Sequence, residues 1–329
     1  MKILVTGGGG FLGLYIVEDL MTKGHSVSIF GRSAQDELAS LGVRVVQGDL
    51  QDAEAVREAC IGMEAVFHVA AKAGIWGSRE SYFAVNVKGT RNVLEACRTN
   101  GIKYLVYTST PSVVFNGQSF LGADESLPYG KNWLCHYAET KAIAEQEVIE
   151  AHSENLKVCA LRPHLIFGPR DPHLLPRVIE AVLAKRLKII GSGQNRVDVT
   201  YVSDAASAHI NALEALMEGK ACGKAYFISQ GEPVLLWAWL NRILSELGIA
   251  PLTKRVPLPV AFFVATVLEG FWKLFAIKGD PPMTRFAAVE LAKEHYFDIS
   301  RAKKDLKYLP KYTMDQAIEK TVEDLKQSM

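Results

Sequence analysis

Disulfide chemistry is the first thing the sequence lacks. Its five cysteines, Cys60, Cys97, Cys135, Cys159 and Cys222, are odd in number, and no two share a Cys-x-x-Cys spacing. That pattern argues against a disulfide framework and a thiolate zinc cluster, and it suits a reducing, cytoplasmic compartment. No other cluster of metal ligands is apparent, so no metal is expected. A charge field of one sign is missing too. Lysine plus arginine number 37 against 36 aspartates and glutamates, for a net charge of +1, so nucleic acid is not an expected partner. Nor is there an uninterrupted membrane-spanning run. The most apolar stretch, 258 to 277, is uncharged only from Leu258 to Leu268 before Glu269 and Lys273 intervene, and a span needs about twenty largely uncharged residues. It reads as a buried helix, or as the wall of a pocket for a long apolar substrate with peripheral contact to a membrane surface. The first strand begins at Lys2, leaving no room ahead of it for a signal peptide.

What is present is an ordinary globular composition, half hydrophobic, over 329 residues. That length favours two closely associated lobes. Short apolar runs alternate with helix-period segments through the first half, the pattern of repeated βαβ units. Strands are predicted at Ile3 to Val5, Ser26 to Phe30, Val43 to Gln47, Ala65 to Val69, Tyr104 to Thr108 and Val158 to Arg162. Helices are predicted at Phe11 to Thr22, Ala53 to Ala59, Ala84 to Thr99 and Tyr137 to His152. The fold class expected is α/β: a doubly wound parallel Rossmann sheet with a smaller C-terminal mixed α/β substrate lobe. The dinucleotide-binding part is placed at 1–170 with a return segment at 195–230, and the substrate part at 171–329, where prolines and turns become frequent.

Thr6-Gly7-Gly8-Gly9-Gly10-Phe11-Leu12-Gly13 follows a strand and opens a helix, the context that makes a glycine pattern a dinucleotide signature. Gly7 serves the tight turn, Gly10 the approach of the pyrophosphate, and Gly13 the close packing of helix on strand, with Phe11 and Leu12 between them. After the second strand an NAD enzyme usually offers a carboxylate to the ribose. Here Gly31 is followed by Arg32 and Ser33, donors suited to a 2′-phosphate, and NADP(H) is favoured. Asp49 and Leu50 close the third strand, placed to meet the adenine.

Tyr137 and Lys141 lie one helical turn apart on one face. They follow the fifth strand, whose end reads Thr108-Ser109-Thr110, so hydroxyls and phenol converge at the carboxyl edge where this fold binds ligands. A ketone receiving hydride needs a proton, and Tyr137 is the expected donor, its pKa drawn down by the Lys141 ammonium and by the positive nicotinamide ring of the oxidised cofactor. Thr110 is expected to orient the substrate oxygen, with Ser109 and Ser112 as alternatives.

These residues together resemble the extended short-chain dehydrogenase/reductase family. The likeness is carried by the glycine loop at 6–13, Gly48-Asp49-Leu50, His68-Val69-Ala70-Ala71, Asn86 with Gly89-Thr90-Arg91-Asn92, Tyr137-x3-Lys141 and Leu161-Arg162-Pro163. Ala70-Ala71-Lys72-Ala73-Gly74-Ile75-Trp76-Gly77-Ser78 and Thr108-Ser109-Thr110-Pro111-Ser112 are similar to the branch of 3β-hydroxysteroid and sterol-carboxylate dehydrogenases and of reductases in long-chain olefin biosynthesis. The resemblance implies a nicotinamide cofactor touching Ala70, Ala71, Lys72, Thr108 and Pro163 as well as the residues above, and commonly a homodimer. It also implies reduction of a β-keto acid with two long alkyl chains. Phe262, Phe263, Leu268, Phe271, Trp272, Leu274 and Phe275 are candidates to line the apolar cavity, and Arg196 or Lys72 to meet the carboxylate. His68, His136 and His164 are expected to be structural or pocket-lining. An oxidative steroid or sterol dehydrogenase, and a non-catalytic dinucleotide sensor, are the competing readings.

Overall fold

The computed structural model describes residues 1–328. Seven parallel strands form the central sheet: β1 (Lys2–Thr6), β2 (Ser26–Gly31), β3 (Arg44–Gln47), β4 (Ala65–His68), β5 (Tyr104–Thr108), β6 (Lys157–Pro163) and β7 (Lys224–Ile228). Their order across the sheet is β7-β6-β5-β4-β1-β2-β3. The order reverses between β1 and β4, and at that switch point the carboxyl ends of the strands open a crevice. Two apolar cores cover the two faces of the sheet, which is why β4 and most of β5 and β6 are buried residue after residue rather than alternately.

Helices Phe11–Thr22 and Ala53–Ala59 fall where periodicity places them. The second is capped by Asp52, whose carboxylate accepts from the amides of Glu54 and Ala55, both at 3.1 Å. The helix predicted from Ala84 begins earlier and is irregular. It runs Arg79–Tyr82, widens to a π-helical turn at Phe83–Lys88, and continues as Gly89–Thr99. Periodicity over a whole helix does not register one wide turn, and such turns cluster at functional sites.

Sequence reading gives six strands; the seventh, β7, falls within the return segment expected at 195–230. It pairs with β6 in parallel, and the helix Val202–Met217 ahead of it packs on Phe11–Thr22. The start of that return segment forms two short strands, Arg196–Val197 and Thr200–Tyr201. Arg196–Val197 joins a four-stranded sheet with Val234–Leu235, His295–Phe297 and Phe120–Ala123. That last strand comes from the first half of the chain, so the lobes are interlaced. A third core, containing Phe167, Trp237, Trp239 and Leu240, fills the second lobe.

The helix His136–Glu150 lies on the sheet and is fixed by a buried ion pair. Arg162 on β6 donates from Nε to both Glu145 oxygens at 3.0 and 3.1 Å, and the Tyr129 hydroxyl donates to Glu145 Oε1 at 2.8 Å. Both charged side chains are almost fully buried. Removing one partner leaves the other charge stranded, so Glu145→Ala is expected to cost about 3–5 kcal/mol in urea unfolding. Arg162→Met added to it is expected to recover part of that loss, which a double-mutant cycle reads directly.

Candidate active site

The glycine loop closes on itself. Gly7 has φ +71°, and a Cβ there would sit 2.9 Å from Ala70 Cα. At Gly13 a Cβ would come within 2.1 Å of the Gly7 carbonyl oxygen, so only glycine lets the helix approach this closely. Gly10 is the helix N-cap and has no side chain to cap it, which leaves the first-turn amides facing the crevice. Leu12 is buried in the core beneath the loop, and Phe11 is half-buried against Tyr15. The observed bends fit a pyrophosphate laid on the helix terminus.

Along the rim, Arg32 and Ser33 follow β2 and are exposed. Among the described residues Arg32 forms no ion pair, and no carboxylate occupies the position after β2. Asp49 accepts from the Gln51 amide at 2.9 Å, a local turn that leaves its second oxygen open. Leu50 is buried under Gly89, where a Cβ would come within 2.9 Å of Leu50 Cβ. Ala70 and Ala71 leave β4 beside Gly7, and Pro163 ends β6 in the buried interior.

Sequence reasoning noted Asn86 as a motif residue but gave it no place in the site. The wide π turn aims its side chain inward, where Oδ1 accepts from the Lys72 amide at 2.7 Å. Its Nδ2 donates to Lys72 O and to Thr140 Oγ1, both at 3.1 Å. One amide thereby ties the 70–72 loop to the helix carrying Tyr137 and Lys141. The motif was the only available signal, because the geometry depends on the irregular turn.

Tyr137 and Lys141 share one face of their helix but do different things. Burial pushes the Tyr137 phenol up to about 12, with the Thr110 hydroxyl pulling the other way. Lys141 Nζ donates to the Thr108 carbonyl at 2.6 Å and lies 4.0 Å from the centre of the Tyr107 ring. Burial pulls its ammonium down to about 7, opposed by Glu145. The expected lowering of the phenol by Lys141 is therefore not found: the ammonium is turned to a carbonyl, and desolvation dominates at both groups. Thr108 holds the His209 Nε2 through its own hydroxyl at 2.8 Å. Thr110 is buried and caps the short turn Pro111–Val114. Ser109 Oγ is buried without a partner among the described residues, and Ser112 is joined to Thr110 at 3.2 Å.

Tyr137 packs against an apolar wall. Phe115, Cys135, Phe286 and Val289 form it, with Ile75, Trp133 and Phe262 packed alongside. Of the seven aromatic and aliphatic candidates in 262–275, only Phe262 reaches this wall. Phe263, Phe271, Leu274 and Phe275 are exposed, because helical spacing turns them to the opposite side. Phe286 and Val289 carried no sequence signal; they are brought in by tertiary packing. Of the two candidate carboxylate partners, Arg196 is already bound to Glu294 at 3.1 Å and to the Tyr296 hydroxyl at 2.9 Å. Lys72 is held by Ser81 Oγ at 2.8 Å beside the cofactor loop.

The histidines are bound into the frame. His68 is buried between Thr6 at 2.8 Å and Thr90 at 3.0 Å, and burial lowers it to about 3. His136 is at the surface, 3.3 Å from Glu139. The fold does gather one cluster of metal-ligating side chains, His164, Glu290 and His295, which the sequence did not suggest. His164 Nε2 and His295 Nδ1 are 2.6 Å apart, and His295 Nε2 is 2.7 Å from Glu290 O. Two imidazoles bonded to one ion at about 2.0–2.1 Å would stand farther apart than that, so this is a hydrogen-bonded chain rather than a coordination sphere.

Comparison with known proteins agrees with this geometry. Residues 4–260 match the model of the 3-beta hydroxysteroid dehydrogenase/isomerase family. A 2-alkyl-3-oxoalkanoate reductase of Stenotrophomonas maltophilia is 46% identical over 322 residues, covering 97% of each chain. The decarboxylating sterol-4-alpha-carboxylate 3-dehydrogenase of Mus musculus is 36% identical over 98% of this chain and 90% of its own. The solved structure of UDP-glucuronic acid 4-epimerase from Bacillus cereus, in complex with NAD, superposes with a TM-score of 0.75 over 100% of this chain and 99% of that one. At 23% identity that likeness speaks for the fold alone. With a parallel dinucleotide sheet, a glycine cradle and a Tyr137-x3-Lys141 helix in place, the chain belongs to the 3-beta hydroxysteroid dehydrogenase/isomerase family of extended short-chain dehydrogenase/reductases.

Proposed function

We propose that the protein is an NADP(H)-dependent reductase of the 3-oxo group of a long-chain 2-alkyl-3-oxoalkanoate, giving the 3-hydroxy acid. The observation that carries this reading is the Tyr137 phenol, one helical turn from Lys141, beside the buried Thr110 hydroxyl and packed against an apolar wall. The 46% identical reductase supports the choice of substrate.

The glycine cradle at Gly7, Gly10 and Gly13, with Phe11 and Leu12, would hold the pyrophosphate; Arg32 and Ser33 the 2′-phosphate; Asp49 and Leu50 the adenine; Ala70, Ala71, Lys72, Thr108 and Pro163 the inner half. When bound, NADPH supplies the hydride that adds to the carbonyl carbon. Thr110 donates to the carbonyl oxygen and Tyr137 hands its proton to that oxygen as charge develops there, which balances the added hydride with one proton. Lys141 would hold the ribose hydroxyls, and Asn86 positions both the Lys72 loop and the Tyr137 helix. A sterol-carboxylate dehydrogenase is the second reading, supported by the 36% identical relative.

Three measurements test this. Tyr137→Phe is expected to lower kcat by about 10²–10⁴ on a 2-alkyl-3-oxo acid while leaving NADPH binding intact; turnover of a 3-ketosteroid alone would favour the second reading. Arg32→Ala is expected to raise KM for NADPH by about tenfold or more and leave KM for NADH unchanged. The third concerns Lys141, whose proton is released near pH 7 in the fold but only near 10.5 in the unfolded chain. The unfolded state therefore binds more protons in that window, and the lysine's contribution to stability rises with pH across it. Lys141→Met is expected to abolish turnover and to be at least as stable as the wild type at about pH 7, the wild type gaining on it toward about pH 10.

A further inference from the structure

Lys72 is half-buried, and the Asn86 amide grips its backbone on both sides, accepting from the Lys72 amide at 2.7 Å and donating to the Lys72 carbonyl at 3.1 Å. From that fixed backbone the ammonium donates to Ser81 Oγ at 2.8 Å and lies 4.9 Å from the centre of the Tyr82 ring. The Ser81 hydroxyl is itself committed, donating to the Ser78 carbonyl at 2.8 Å. An ammonium has three N–H donors. Among the described residues Ser81 alone accepts from it, and no carboxylate pairs with it. A cation seated on an aromatic face with donors to spare is suited to an anion.

The segment that holds this cation also brackets the reacting phenol. Ile75 packs in the wall with Tyr137. Arg79 Nε donates to Glu139 Oε1 at 2.8 Å, which clamps the turn carrying Ser81 and Tyr82 onto the start of the Tyr137 helix. Tyr82 is buried and its hydroxyl donates to the Trp76 carbonyl at 3.0 Å, closing the loop between them. Gly77, at φ +139°, passes so near that a Cβ there would lie 3.9 Å from Lys72 Nζ. Burial is the main cause of the raised Tyr137 pKa, and Tyr82 adds to it after Thr110 and Cys135 have acted, so the ring under the ammonium stands within electrostatic reach of the phenol. Other cations near the site are already engaged: Arg196 with Glu294, Arg285 with Glu269, and Lys141 with the Thr108 carbonyl. Lys273 reaches the same loop, 5.7 Å from the centre of the Trp76 ring, but is exposed.

Both readings of the reaction put a carboxylate on the carbon next to the reacting one. We propose that the Lys72 ammonium holds that carboxylate and so makes the protein selective for 3-oxo acids over neutral ketones. Because one carbon separates the carboxylate from the carbonyl, gripping the first orients the second toward Tyr137 and Thr110 and leaves the alkyl chains to the apolar wall. Lysine suits the task, since a compact charge with rotatable donors accepts either carboxylate oxygen, whereas arginine imposes a planar fork. The assignment rests on the reading of the substrate as a 3-oxo acid.

The test compares kcat/KM with NADPH for a short, water-soluble 2-methyl-3-oxo acid and for its methyl ester, so that any loss common to both cancels in the ratio. The wild type is expected to prefer the acid by about tenfold or more, and Lys72→Met and Lys72→Gln to lose that preference. Lys72→Arg is expected to recover part of it, and Lys273→Met to keep the wild-type ratio. Calorimetry of the acid against the NADP⁺-loaded protein reads the same contact without turnover, with Kd expected to rise about tenfold or more in Lys72→Met. Equal rates for acid and ester in the wild type overturn the proposal. An unchanged ratio in both Lys72→Met and Lys72→Gln also overturns it, and leaves Lys72 serving the cofactor or the fold alone. A ratio lost in Lys273→Met but kept in Lys72→Met moves the carboxylate to Lys273 and overturns it as well. If neither compound is reduced, the reductase reading falls and calorimetry decides the rest. Weaker binding of the acid by Lys72→Met than by the wild type then leaves the carboxylate seat standing, and equal binding or none removes it.

Discussion

Tyr137, Lys141 and Glu145 run down one face of a single helix, each a turn below the last, and the lowest of them anchors the other two. Glu145 is bound to Arg162 inside the sheet–helix interface with the Tyr129 hydroxyl as a third partner. Burying two charges costs several kcal/mol per ion, so such a pair is weak evidence for stability. Its value here is positional: a guanidinium and a carboxylate bonded through two oxygens fix the rotation and height of the helix on β6. That placement sets Lys141 on the Thr108 carbonyl and presents Tyr137 to the crevice. Asn86 braces the same helix from the opposite side through Thr140.

The cost of this arrangement falls on the two groups above the pair. Lys141 is buried and gives up its proton near neutrality, while the half-buried Tyr137 holds its proton well beyond it. A phenol kept protonated is suited to giving a proton to a developing alkoxide. The opposite direction, oxidation of an alcohol, needs the phenolate. A group with positive charge beside the phenol would favour it.

Much of this was legible in the chain. The glycine loop, the arginine where a carboxylate is usual, and the Tyr137–Lys141 spacing are local features, and the strand–turn–helix context that gives them meaning is itself read from periodicity. What escaped depends on tertiary placement. Asn86 acts only because one turn of its helix is π-wound. Lys141 turns to a backbone carbonyl rather than to the phenol, which no spacing rule reports. Phe286 and Val289 arrive at the site from far along the chain. Residues 258–277 read as the most apolar stretch, but composition cannot say which side of a surface helix faces the body. Phe262 turns inward to the site while Phe263 and Leu274 face outward.

The central claim is that hydride passes from the nicotinamide to a substrate carbonyl whose oxygen is protonated by Tyr137. It is tested most directly by turning over a 2-alkyl-3-oxo acid with NADPH dideuterated at the reactive ring carbon and locating the label by mass spectrometry. The account predicts one deuterium on the new carbinol carbon of the hydroxy acid, with a matching loss from the cofactor. A hydroxy acid free of label, or a cofactor that stays unoxidised in the presence of the acid, would contradict it.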